Sequence, residues 1–177
     1  MILSLFRKDP RRTSIATLYE RVATASRGRG LYVALDVPDT VEGRFEALCL
    51  HVVLVLRALR DRPAPADEVA NGLAEAFFRD LDAVLRESGV GDSKVPKRMK
   101  GLAEAFYGRA RAYDRAFDTG AEAALAEALG RNVTAGAPAR GLARYASDAD
   151  RNLRAQELEE ILTAGPRFPE AERFSLP

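Results

Sequence analysis

The residues best suited to chemistry fall between Gly89 and Tyr113, in G-V-G-D-S-K-V-P-K-R-M-K-G-L-A-E-A-F-Y-G-R-A-R-A-Y. Three of the chain's four lysines, Lys94, Lys97 and Lys100, stand within seven residues, with Arg98 among them and Arg111 beyond. Phe106, Tyr107 and Tyr113 are interleaved with these cations, and Phe78 stands in the segment before. Cations beside aromatic rings make a recognition surface. The charges attract anionic groups, while the rings supply apolar contact area. The expected arrangement is a groove lined by Phe78, Phe106, Tyr107 and Tyr113, with Lys94, Lys97, Arg98, Lys100 and Arg111 on its rim. Phe106 and Tyr113 also fit a helix's core stripe, and that reading is preferred for them.

Little else in the chain points to catalysis. His51 is the only histidine and Cys49 the only cysteine, so no zinc or redox pair can form. His51 lies in an apolar run, where a hydrogen-bonded core histidine is expected rather than a ligand or base. Asp80 and Asp82 suggest the metal-binding acids of a helical isoprenoid synthase, but no second acidic motif answers them. R-G-R-G at Arg27–Gly30 has the donors for a phosphate, yet no G-x-G-x-x-G is present. No metal or cofactor is expected.

The elements that must position these residues are helices. Met99, Leu102, Phe106, Ala110, Tyr113 and Phe117 recur at steps of three and four, one apolar stripe on a helix. Asp92 or Ser93 is its expected cap, and Pro96 suits its first turn. From Lys94 to Arg115 seven basic residues face two acids, net +5; Asp67 to Asp92 is net −5. An antiparallel pair follows, with charge helping to set its register. The acidic helix runs from Asp67 to about Ser88 and turns Val69, Leu73, Phe77, Leu81, Val84 and Leu85 inward. Before it, Asp39 or Thr40 caps a helix through Arg60. Eight of the nine residues of L-C-L-H-V-V-L-V-L, Leu48–Leu56, are apolar, so this helix is central. A first helix is expected over Thr13–Ser26, an irregular connection over Leu31–Pro38, and a short helix over Ala121–Leu129. A last helix over Ala139–Leu162 should break near Gln156. The fold expected is all-α, a single compact bundle of roughly six to seven helices around a buried central one.

With 177 residues the chain makes one domain and a substantial core. Residues 13–164 should form it, between an apolar and basic N-terminal tail (1–12) and a proline-containing C-terminal tail (165–177), disordered or laid over the surface. A net charge of +1 argues against a general DNA binder. Met1–Phe6 is apolar and is followed by R-K-D-P-R-R, the wrong order for a secretory signal. Two readings stand for Met1–Arg12: a frayed or packed terminus, or contact with an anionic membrane surface.

Three blocks carry a resemblance: G-R-F-E-A-L-C-L-H-V (Gly43–Val52), R-D-L-D-A-V-L-R-E-S-G-V-G-D (Arg79–Asp92) and V-P-K-R-M-K-G-L-A-E-A-F-Y-G-R-A-R-A-Y-D (Val95–Asp114). Over about Thr13–Leu162 the chain resembles the ubiquinol–cytochrome c chaperone family, and its bacterial members in particular. The resemblance implies a non-enzymatic assembly factor for complex III that holds newly made cytochrome b. It also implies a cytoplasmic protein, peripheral on the inner membrane, with proximity to the ribosome. Two alternatives of other classes are a helical isoprenoid-type transferase and a basic-face RNA or membrane-surface module.

Overall fold

The computed structural model describes residues 10–134 and 136–175. The two readings of Met1–Arg12 fall on residues outside those described. Among the described residues eight α-helices follow in order: α1 (Pro10–Ala25), α2 (Arg29–Ala34), α3 (Val41–Leu59), α4 (Ala66–Glu87), α5 (Val95–Asp118), α6 (Glu122–Asn132), α7 (Arg140–Ala155) and α8 (Leu158–Thr163). A 3-10 turn, Ala171–Phe174, closes the chain, and no strand occurs among the described residues.

The apolar run in α3 makes it the axis. Leu48 through Val55 are all buried, and α1, α4, α5 and α7 pack around it. Thr40 caps it, its hydroxyl accepting from the Gly43 amide at 3.1 Å. Gly43 is required there, since a Cβ would overlap the Pro38 carbonyl oxygen. His51 is a core histidine as expected. Its Nδ1 donates to the Ala47 carbonyl (2.7 Å), and its Nε2 accepts from the Tyr145 hydroxyl of α7 (2.8 Å).

α4 buries Val69, Leu73, Phe77 and Leu81, but the stripe leaves the core in the last turn, where Val84 is 47% exposed. The hairpin to α5 is antiparallel, bringing Phe77 against Phe106 at 4.8 Å between ring centres. The expected cap on α5 is absent. Lys94 holds the cap position without a side-chain bond, and Asp92 instead accepts from the Arg86 guanidinium at 2.7 Å. The expected register charges also pair elsewhere. α5 sends Arg109 to Glu46 and Asp114 to Arg57, both on α3, and Asp114 also to Arg60 just after it. The α4–α5 contact rests on aromatic packing.

Two further departures concern connections. The stretch expected to be irregular after Gly30 starts as α2, which packs against the 3-10 turn with the Glu172 carboxylate close over Gly30. The last helix breaks at Gln156, as its drifting stripe foretold. There the Arg62 guanidinium donates to the carbonyls of Leu153, Arg154 and Gln156 (2.9, 3.1 and 2.6 Å), satisfying the end of α7. The Gln156 amide in turn binds the Gly165 carbonyl and the Arg167 amide. Residues 165–175 then lie over α2 and α7, with the Phe168 ring 4.7 Å from that of His51.

Candidate binding surface on the α4–α5 hairpin

The helical period that buries one side of α5 presents the other side to solvent. Lys97, Lys100, Glu104, Tyr107, Arg111 and Arg115 follow at steps of three and four, and all are exposed. Lys97 and Arg111, with Lys94 and Arg98 nearby, form no ion pair among the described residues. Lys100 has only a loose contact with Glu104 at 3.9 Å. A pair so exposed contributes little, so this cation remains available as well.

Tyr107, 51% exposed, is the aromatic centre of this ridge. It is not isolated. Its ring lies 5.4 Å from Phe106 and 5.9 Å from half-buried Phe78, and Phe106 meets Phe77 in the core. A ladder of rings thus runs from the interior to the surface and fixes Tyr107 at low entropy cost. Gly108, beside it, has no atom within 4 Å of where a Cβ would stand. No helix of this chain explains that glycine, which costs about 1 kcal/mol relative to alanine in a helix interior.

Two of the expected groove residues belong elsewhere. Phe106 and Tyr113 are fully buried, on the core side of α5, and line no surface. The stripe that includes them faces α3 and leaves them no path to solvent. The Tyr113 hydroxyl meets no well-formed hydrogen bond among the described residues, its polar neighbour being the Asn132 side chain, and burial raises its pKa above the usual phenol range. Tyr113→Phe is therefore expected to stabilise the protein by about 1 kcal/mol, since it removes a desolvated, poorly paired hydroxyl. A lower midpoint in urea unfolding would refute this.

Residues passed over in the sequence hold the surface in place. Arg109 turns inward and makes two bonds to the buried Glu46 carboxylate, one at 2.6 Å, with its guanidinium 5.7 Å from the Phe45 ring. Arg57 of α3 reaches Asp114 (2.9 Å) and Asp118 (2.8 Å) of α5 and Asp150 (3.1 Å) of α7. The lone signal for Arg57 was a cation in the last turn of an otherwise apolar helix. The acids of the isoprenoid reading are both engaged. Asp80 accepts from the Tyr19 hydroxyl at 2.7 Å, and Asp82 holds Arg86. Burial raises the Cys49 thiol far above its ordinary pKa, which removes its nucleophilic form. One cleft borders the ridge at Arg115 and another lies away from it. The first, of 390 Å³, runs between α5 and α6, and the second, of 680 Å³, lies between the Arg62–Pro65 turn and α8.

The body is helical, spends its inward charges on its own packing, and displays cations around an aromatic on one ridge. The profile of the ubiquinol–cytochrome c chaperone family matches residues 33–168. The chain is also similar to the crystal structure of the Cbp3 homologue from Brucella abortus, with 37% identity and a TM-score of 0.83. That match covers 98% of this chain and 99% of the other. No curated protein matches. The chain belongs to the ubiquinol–cytochrome c chaperone family. Its class is that of an assembly chaperone. No helix among the described residues is long and apolar enough to cross a membrane.

Proposed function

We propose that this protein is a bacterial assembly chaperone for complex III that holds newly made cytochrome b against the α4–α5 hairpin. The observation that carries this reading is Tyr107, exposed on α5, backed by Phe78 and ringed by cations free to meet a partner. An unfinished membrane subunit offers apolar segments flanked by charged loops. The aromatic pair suits the first, and Lys94, Lys97, Arg98, Lys100 and Arg111 suit acidic loops. Gly108 supports the same reading, because open space above a helical glycine lets a client backbone come close. The ion pairs of Arg109 and Arg57 hold α5 to α3, so a client meets a preformed surface. Work on the cytoplasmic face of the inner membrane, near the ribosome, follows from the nature of such a client. The protein acts by binding, not by catalysis.

Lys97→Glu combined with Lys100→Glu tests this. Both side chains are exposed, so helicity and urea midpoint should stay unchanged. Client capture should fall about tenfold through lost charge complementarity. Cross-linking from position 107 during cytochrome b synthesis should yield the adduct in wild type and little in the variant. Normal complex III in cells carrying only the double variant would refute the site.

A further inference from the structure

The cleft between the Arg62–Pro65 turn and α8 has apolar walls and an acidic rim. Pro63, Ala64, Pro65, Leu158 and Leu162 line it, and each is exposed or half-buried. Its two cations are already engaged. Arg62 donates to the carbonyls at the end of α7, and Arg154 pairs with Asp150. Its acids are not. Glu157 and Glu159 on the cleft, and Asp61 and Asp67 at the turn beside it, are exposed and form no ion pair among the described residues. Such a site fits an occupant that is apolar with cations at one end.

The chain itself holds a segment of this kind. Ser14, near the start of α1, also lines the cleft. α1 begins four residues earlier, at Pro10, about 6 Å along the helix. The nine residues before it lie outside those described. Extended, they reach about 30 Å, enough to cross the cleft from its α1 side. They read M-I-L-S-L-F-R-K-D, five apolar residues among the first six and then two cations.

We propose that residues 1–9 fold back as a strap: Met1–Phe6 fills the cleft, and Arg7 and Lys8 meet the acids on its rim. This goes beyond the client reading and uses none of its residues. The cleft stands at the end of α4 remote from Lys94 and Lys97, and α4, with 22 residues, is about 33 Å long. Seated this way, the strap keeps an apolar hexapeptide out of water and closes the cleft to a client. It also ties α1 to the α3–α4 turn and to α8, whose six residues are too few to make a stable helix alone.

The chain has no tryptophan, so Phe6→Trp in the full chain places a single indole in the proposed contact. The strap predicts blue-shifted emission and protection from acrylamide, both unchanged on dilution. Glu157→Lys with Glu159→Lys should shift the equilibrium toward release about tenfold. Leu162→Asp should release the indole as well, by setting a charge against the apolar wall. Both glutamates are exposed, so the charge reversal should leave the circular dichroism spectrum unchanged, and it carries the test where Leu162→Asp loosens α8. Val84→Asp, at the far end of α4, should leave the indole protected. An indole as accessible as that of a free peptide of residues 1–9 with the same substitution overturns the proposal. So does protection that survives both cleft variants. Protection lost on dilution overturns it in favour of a second copy, and protection seen only with added vesicles overturns it in favour of a bilayer. No readout here involves cytochrome b, so the client reading stands or falls on its own experiment.

Discussion

Arg57→Ala should destabilise the protein by about 3 kcal/mol, the scale for removing one partner of a buried ion pair. The Arg57 side chain is 7% exposed and joins three helices, meeting Asp114 and Asp118 of α5 and Asp150 of α7. Its guanidinium also lies 4.8 Å from the Phe117 ring centre. Without it, Asp150 and Asp114, 15% and 19% exposed, lose a neutralising charge in a poorly solvated place. Arg154 and Arg60 still contact them, which holds the loss to the lower end of the range. Asp118 is 64% exposed, so Asp118→Ala should cost far less. Urea unfolding of the two variants checks the contrast. Equal small losses would mean that the cluster is surface decoration. The functional consequence is specific: α5 is the helix that carries the proposed surface, and Arg57 is one of its two charged anchors to α3.

The second large effect is a dependence of stability on pH through His51. Complete burial lowers its pKa from 6.5 to about 4. Neutral His51 donates through Nδ1 and accepts through Nε2, and the enclosed site offers no solvation to an imidazolium. Between pH 6.5 and 4 the unfolded chain takes up a proton that the native state refuses. Stability therefore rises with pH across this window. The contribution is complete above 6.5 and is lost as pH falls toward 4, a span of about 3 kcal/mol. His51→Gln should be less stable at neutral pH, yet show a flatter profile from pH 6.5 to 4. Parallel profiles for the two proteins would sink the account. The carboxylates titrate in both proteins alike, so the difference between the profiles isolates His51.

The stripes behind both predictions were legible in the chain. L-C-L-H-V-V-L-V-L announced α3 as the enclosed helix, and the drift of the stripe near Gln156 announced the break before α8. Tyr107 and the lysines were legible as an outward face, because they fall off the Met99–Phe117 stripe. The same stripe warned that Phe106 and Tyr113 are core, and they are. The helix over Arg29–Ala34 was not legible. Its two glycine-bounded arginines read as a terminator, and its stability comes from the 3-10 turn about 140 residues later in the chain.

What the sequence determined by itself is the set of long helices, the buried side of each and the family. Apolar periodicity is a local property, fixed by residues three and four apart. Only the tertiary structure decided which charges meet. The balance of −5 against +5 in α4 and α5 suggested that those helices pair their charges, yet Asp114 and Arg109 of α5 turn to α3. Neighbours in sequence were outcompeted by groups 57 and 63 positions away, because burial against α3 strengthens an ion pair that solvent would screen between exposed faces. That choice is also what leaves the lysines of α5 uncompensated and open to a partner.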